Sequence, residues 1–487
     1  MHKRNDTIDT KDVPTHAIVP RVPRTRYQVT LAVLAIAGIS YALLQSLVVP
    51  ALPEIQHSLH ASQSSVTWVL TAFLLSASVA TPIIGRLGDM YGKERLLIVV
   101  LLLLALGTLV SALASSLPLL IAGRVIQGAG GGIFPLAFAI IRDEFPRERV
   151  AGGIGLMSSL IGIGGGAGVV LAGFIVGHLS YHWLFWVPLA IILGAALATH
   201  LWVPESPIKS PGKINWTAAA LMSVGLSLVL IAVSQATAWG WGSPKTLGLL
   251  AVGSTVIAAW VAVELRAAEP LVDMAMMRIR GVWTTNLVAV LVGVGMYSSF
   301  VLIPQFVQEP TSTGYGFGTS VLTSGLFLLP STVAMVLVGQ FAGRLERLFG
   351  SKPSLLAGSA FCIASFGLLL VARSAPWEIY VASGLLGIGI GLAFAAMANL
   401  IVEHVRQEQT GVATGMNTVM RTLGGAFGAQ LAGTLLAANV GRGGLPTNHG
   451  YGLAFGLCAA ALVAGLLAGF AIPSRRGPRL VGQPSEA

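Results

Sequence analysis

Fourteen apolar stretches, each long enough to cross a bilayer as a helix of about 20 residues, run along this chain of 487 residues. In hydrocarbon every backbone polar group needs an internal partner, and a helix supplies those partners within one segment. The stretches lie at 29–52, 66–85, 96–115, 117–141, 151–177 and 182–203, then at 216–236 and 246–264, then at 282–308, 318–342, 354–371, 377–400, 413–438 and 451–472. Only 10% of the residues are charged, against about 25% in a soluble domain. What remains between the stretches leaves no room for a large soluble domain. The expected fold class is an all-α polytopic membrane protein with 14 transmembrane helices.

A net charge of +10 on a soluble chain would point to nucleic acid. Here the basic residues sit in the short breaks between apolar stretches, which is a topological pattern. If the helices alternate in direction, 24 of the 29 Lys and Arg residues fall on one side; Lys245, Arg373 and Arg442 fall on the other, and Arg124 and Arg421 lie inside helices. Cytoplasmic segments retain positive charge, so both termini are expected in the cytoplasm. Residues 1–28 then read as a cytoplasmic tail, too long and too basic for the lead of a cleavable signal, and 473–487 as a second tail. Cys362 and Cys458 lie in separate apolar stretches, so neither a disulfide framework nor a thiolate metal site is expected.

The chain repeats itself. After the second helix it reads Gly85-Arg86-Leu87 and then Tyr91-Gly92; after the tenth it reads Gly343-Arg344-Leu345 and then Phe349-Gly350, at an offset of 258. In helices five and thirteen Gly155, Gly164, Gly165, Gly168 and Gly173 match Gly415, Gly424, Gly425, Gly428 and Gly433 at an offset of 260. Two independent motifs at nearly one offset imply two six-helix halves in parallel order, 29–203 and 282–472, with a two-helix insertion at 204–281. Halves so related, packed around a cavity, suit a binding site near the midplane that is opened to each side in turn.

These features resemble the major facilitator superfamily, and within it the fourteen-span drug:proton antiporters, over about 27–473. The most specific match is the segment containing Gly85, Asp89, Gly92, Lys93 and Arg95, which fits the family frame Gly-x-x-x-Asp-x-x-Gly-x-[Lys/Arg]-[Lys/Arg] with Glu94 in one basic position. Supporting matches are Trp68 and Thr71, the run 123–128 around Arg124, Gly325 to Pro330, and Arg421 to Gly428. The resemblance implies a major facilitator fold in 6 + 2 + 6 order and a plasma-membrane, multi-pass antiporter. Its expected role is multidrug efflux and antibiotic resistance. A facilitator or symporter for a metabolite, or a non-transporting ligand sensor, shares the fold and stays open as an alternative.

Gly85, Gly88 and Gly92 permit close approach to a neighbouring helix. Asp89 is expected to face the positive start of helix thirteen, near Thr410, as a latch on the cytoplasmic side, with Arg86 or Arg95 as its cationic partner. Lys93 reads equally well as part of this gate or as simple positive-inside charge. Arg124, deep in helix four, costs about 2.5–3.5 kcal/mol unless compensated; it is a coupling candidate or a hydrogen-bonding anchor. In helix five the family's hinge proline is absent, leaving Gly164, Gly168 and Gly173 to supply any bend, with Gly424 and Gly428 as their counterparts.

Proton coupling normally uses an intramembrane carboxylate, yet the family's helix-one Asp position falls on Leu44 or Gln45, and none of the 19 acidic residues lies near a helix midpoint. Three readings stay open beside Arg124: a vestibule carboxylate, Glu54 or Glu309, carries the proton; the coupling ion acts through the latch at Asp89; or the protein is not proton-coupled. A cavity poor in acid favours neutral, amphipathic substrates. Candidate contacts are Gln45, Gln127, Asn286, Met296, Tyr297, Gln305, Met397, Asn399 and Asn417. The chain has no phosphate loop, because Gly92-Lys93 is followed by Glu94, and no Gly-x-Ser-x-Gly or His-Glu-x-x-His. Neither ATP, nucleic acid, cofactor, metal nor enzymatic chemistry is expected; the expected partners are a small-molecule substrate, protons and the bilayer.

Overall fold

The structure is a computed structural model that describes residues 24–49, 51–66, 68–210, 212–441 and 444–473. Most of both tails, with Arg442, lies outside the described residues. Among the described residues twelve helices are long and apolar enough to cross a membrane: α1 (Tyr27–Ser46), α2 (Trp68–Tyr91), α3 (Lys93–Ala112), α4 (Leu117–Glu144), α6 (Trp183–Trp202), α7 (Trp216–Trp239), α8 (Pro244–Arg266), α9 (Arg280–Gln308), α10 (Thr323–Phe349), α11 (Ser351–Val371), α12 (Pro376–His404) and α14 (Asn448–Phe470). Two more long helices belong to the same bundle, α5 (Arg147–His178, 32 residues) and α13 (Thr410–Ala438, 29 residues). The sequence of α13 is broken by Asn417, Arg421 and Gln430, which dilutes its hydropathy.

The packing repeats as the sequence does. In the first six helices α1 packs on α5 and α6, and α3 on α4 and α6; in the last six α9 packs on α13 and α14, and α11 on α12 and α14. The two sets meet through a swapped pair of contacts, α5 against α10 and α2 against α13. Each set has its own apolar core, one around Leu34, Phe73, Phe138 and Phe185 and the other around Phe306, Phe366, Phe394 and Phe455.

A third core joins α7 and α8 to the rest. Its residues include Met222 and Trp260, packed with Val412, Met416 and Val419 of α13. α8 faces outward, with 17% of its apolar window buried, but α7 lies against both α2 and α13. The insertion is thus less peripheral than its position in the sequence suggests, because α7 covers a seam between the two sets.

α2, α10, α4 and α5 differ from expectation in ways that bear on the site. α2 continues past Gly85 to Tyr91, so the expected loop is helical until Gly92, whose φ of +120° makes the turn. α10 likewise runs on to Phe349 and ends at Gly350, φ +89°. Polar residues there end the apolar stretch without ending the helix. α4 loosens into a 3-10 turn at Gly128–Gly132, whereas α5, where the bend was expected, is continuous.

Candidate functional site

At the end of the bundle where α2 finishes, α13 begins, and the helix start leaves its first N–H groups without intrahelical acceptors. The Asp89 carboxylate takes two of them: Gly411 N–H donates to Oδ1 at 3.2 Å and Val412 N–H to Oδ2 at 3.1 Å. Asp89 is 1% exposed, so a negative charge from one six-helix set caps the positive end of a helix in the other. The glycines explain how the helices come so close. A β-carbon at Gly85 would lie 2.5 Å from the Gly411 carbonyl oxygen, and one at Gly88 would strike Leu136.

The cationic partners differ from expectation. Neither Arg86 nor Arg95 reaches Asp89: Arg86 donates to Ser210 Oγ at 3.3 Å, and Arg95, exposed, pairs with Glu205 at 3.6 Å. Lys93 is instead fully buried in an ion pair with Asp143 and also donates to the Ile208 carbonyl at 3.1 Å. A lysine that merely marked the cytoplasmic side would be solvated, so this one is structural to the closed end. Asp143 in turn accepts from Gln407 of the other set at 3.0 Å. Beside it Arg142 donates to the carbonyls of Val405 (2.9 Å) and Arg406 (3.1 Å) and to Thr410 Oγ1. Arg142 and Asp143 belong to no motif and carried no individual expectation; the signal for them was their place in the last turn of α4, facing the start of α13.

Arg124 is fully buried within the first set. It donates to the carbonyls of Val69 (3.0 Å) and Leu44 (3.1 Å) and to Gln127 Oε1 (2.7 Å), and lies 4.0 Å over the Phe73 ring. Gln127 continues to Thr108 and Ser111 at 3.2 and 3.3 Å. The arginine therefore ties α1, α2 and α4 together through carbonyl groups. These contacts suit a hydrogen-bonding anchor and offset part of the cost of burying the charge, while Nη2 is buried without a protein partner.

Between the sets lies a small cavity of about 30 Å³, lined by residues that include Tyr41, Gln45, Thr81, Tyr297, Thr418 and Arg421. Gln45 and Tyr297 were expected there. Arg421 is 8% exposed, with its guanidinium 4.2 Å over Phe394. Other candidates lie elsewhere. Asn417 donates to Asn286 at 2.9 Å across α9 and α13; Met296 and Met397 are in the core of the second set; Gln305 is exposed; and Asn399 donates to the carboxylate of Glu346. Polar and methionine side chains at mid-depth fill helix contacts as readily as they line cavities, and sequence position does not separate the two.

The glycine faces serve packing. Gly164 and Gly168 meet Ala42 and Ser46 of α1, while Gly424 and Gly428 meet Val290 and Val294 of α9; Gly173 is half-buried on α5. Glu54 is half-exposed in the short helix Leu52–Ser58 and accepts from Ser58 at 3.1 Å. Glu309 is buried at 6% exposure and accepts from the Tyr451 hydroxyl at 2.9 Å, inside an aromatic cluster with Phe306 and Tyr315. Tyr315, in the connection after α9, has its hydroxyl held above its ordinary pKa by burial and by the neighbouring Glu309.

Two similarly packed six-helix sets, clasped at one end over a central cavity, define the class: a multi-pass membrane transporter rather than an enzyme. The chain belongs to the Major Facilitator Superfamily, whose sequence model matches residues 34–429 and again 287–486. It is similar to the multidrug transporter protein MdtP of Bacillus subtilis, at 29% identity over 84% of this chain and 75% of that one. It is 28% identical to the tetracenomycin C resistance and export protein of Streptomyces glaucescens, over 85% and 76% of the two chains. A multidrug resistance protein B homolog of Mycobacterium tuberculosis is 28% identical over 77% and 70%. In fold it is similar to the crystal structure of the human organic anion transporter MFSD10 (TETRAN), with a TM-score of 0.66, 16% identity and coverage of 92% of this chain and 100% of that one.

Proposed function

We propose that this protein exports small amphipathic drugs or antibiotics across the plasma membrane by proton antiport, with the two six-helix sets rocking about the central cavity. The fourteen long helices are read as fourteen spans in 6 + 2 + 6 order, with both termini in the cytoplasm. The observation that carries this reading is the Asp89 clasp on Gly411 and Val412. It is a polar contact between the two sets, made of few bonds and set at one end, which suits a joint that opens and recloses better than a permanent weld. The names of the relatives, multidrug transport and antibiotic export, support the same direction and cargo.

The closed end is the cytoplasmic one in this reading, so the structure represents a state shut to the cytoplasm with its cavity nearly collapsed. A volume of about 30 Å³ holds on the order of one water, and a drug enters only when the sets part. Arg421 and the hydroxyl-bearing residues of the lining favour neutral or anionic amphipathic compounds over cations. Of the acidic residues, Glu309 and Asp89 are better enclosed than Glu54 and are the stronger coupling positions.

The test is accumulation of a panel of antibiotics and dyes in cells with and without the protein, each with and without an uncoupler. Export by antiport lowers accumulation and the uncoupler abolishes the difference. An uptake carrier raises accumulation, and a sensor leaves it unchanged; either result removes this reading.

A further inference from the structure

The end of the bundle that holds the latch also holds a second contact between the two sets, with no motif to mark it. Glu346 was read as part of a polar break, but α10 runs through it and turns its side chain into the joint between the two sets. It is 7% exposed. Its Oε2 accepts from Asn399 of α12, whose amide also donates at 3.4 Å to the Ala151 carbonyl of α5, in the other set. Its Oε1 is buried and has no protein partner. Around it the helices lie close together: a β-carbon at Gly343 would strike the Gly152 backbone, and one at Gly155 would strike the Ala342 side chain.

Among the described residues no cation answers this carboxylate. Of the three salt bridges among the described residues none includes Glu346. On its own helix Arg344 and Arg347 are exposed, and Arg347 is turned to the Gly343 carbonyl. On α11 the Lys352 ammonium is taken by the carbonyls of Phe470 and Ile472 at 2.9 and 2.6 Å. On α5 Arg147, Glu148 and Arg149 are exposed, and on α12 the nearest charge is a second carboxylate, Glu403, which accepts from Ser351 at 2.7 Å; His404 of that helix is bound to the Leu400 carbonyl. An unpaired buried carboxylate is far more costly than a neutral carboxylic acid in the same place.

We propose that Glu346 is a proton-binding site at the joint of α5, α10 and α12, occupied when this end closes and emptied when it opens. Closing the sets removes the side chain from water and takes up one proton; parting them returns the carboxyl to water, where it ionises and the proton leaves on that side. Acid therefore favours the closed end and alkali the open one. The ratio of open to closed changes by at most about tenfold per pH unit for one proton. This rests on the reading that the two sets part at this end, but not on antiport itself.

The test uses the full-length protein reconstituted in lipid nanodiscs, with spin labels at the exposed positions Glu148 and Leu348, and the distance between them measured from pH 5 to pH 9. The unmodified joint is expected to shift from a short to a longer distance as pH rises. Glu346→Gln, which keeps an acceptor for Asn399 and carries no proton to lose, is expected to stay short throughout, while Glu346→Asp keeps a pH-dependent shift. A pH response in Glu346→Gln equal to that of the parent, or none in the parent, overturns the assignment. Drug flux into proteoliposomes with and without a pH gradient is measured on the same preparations. Flux indifferent to the gradient alongside a Glu346-dependent distance change defeats the antiport reading and leaves this site standing; gradient-driven flux with an unchanged Glu346→Gln response does the reverse.

Discussion

Buried charge at the level of single residues is where sequence and structure diverge most. Lys93 and Asp143 form a pair with no exposure, and removing one partner of such a pair costs about 3–5 kcal/mol, because the other is left charged and buried. Lys93→Met is expected to lower the melting temperature in detergent markedly, and Lys93→Met with Asp143→Asn to recover much of the loss; equal losses in both would show that the pairing is unimportant. Asp89→Asn presents one acceptor where two N–H groups are aimed, and hydrogen bonds to charged groups contribute about 1.5–3 kcal/mol. Its export rate is expected to fall about tenfold, measured as drug efflux from cells that carry the variant. For Glu309→Gln the expectation is slower export driven by a pH gradient, read as efflux across a series of external pH values; the same efflux at every value would remove Glu309 from the coupling path. Asp89 was legible in advance because its motif spacing and the helix start point at each other. Glu346 was not, because a polar residue among Arg344 and Arg347 reads as solvated until the helix is seen to continue.

Among the helices, apolar length made the long segments legible, and their ends were misjudged for one reason. The last turns of α2 and α10 carry arginines together with a buried carboxylate, Asp89 or Glu346, beside the glycines that face the joint, so hydropathy falls before helicity does. The glycine repeat relates α5 to α13, and in the structure Gly164 and Gly168 lie against α1 and Gly424 and Gly428 against α9, within helices that run without a break. At Gly424 a β-carbon would meet the backbone of Val290. Gly424→Val is therefore expected to separate α9 from α13 and to reduce both yield and thermal stability by an amount typical of overpacking, about 1–3 kcal/mol, as measured by a melt in detergent. The same change at Gly367, which has open space around it, should leave stability nearly unchanged.

For the molecule as a whole, the repeat at offsets 258 and 260 anticipated the pseudo-symmetric packing, since each set reuses the same helix pairs and the sets cross at α5–α10 and α2–α13. The cavity was less legible: which of nine polar or adaptable side chains face it depends on helix rotation, and sequence alone leaves that open. A joint that works by rocking should stop when it is pinned. Tyr91, at the end of α2, and Glu408, just before α13, are both exposed and flank the Asp89 clasp. Cysteines at these two positions, joined by a cleavable thiol cross-linker in reconstituted protein, are expected to abolish drug export, and cleavage of the linker to restore it. Export that continues at the original rate while the two helices are joined would contradict the alternating opening of the two sets.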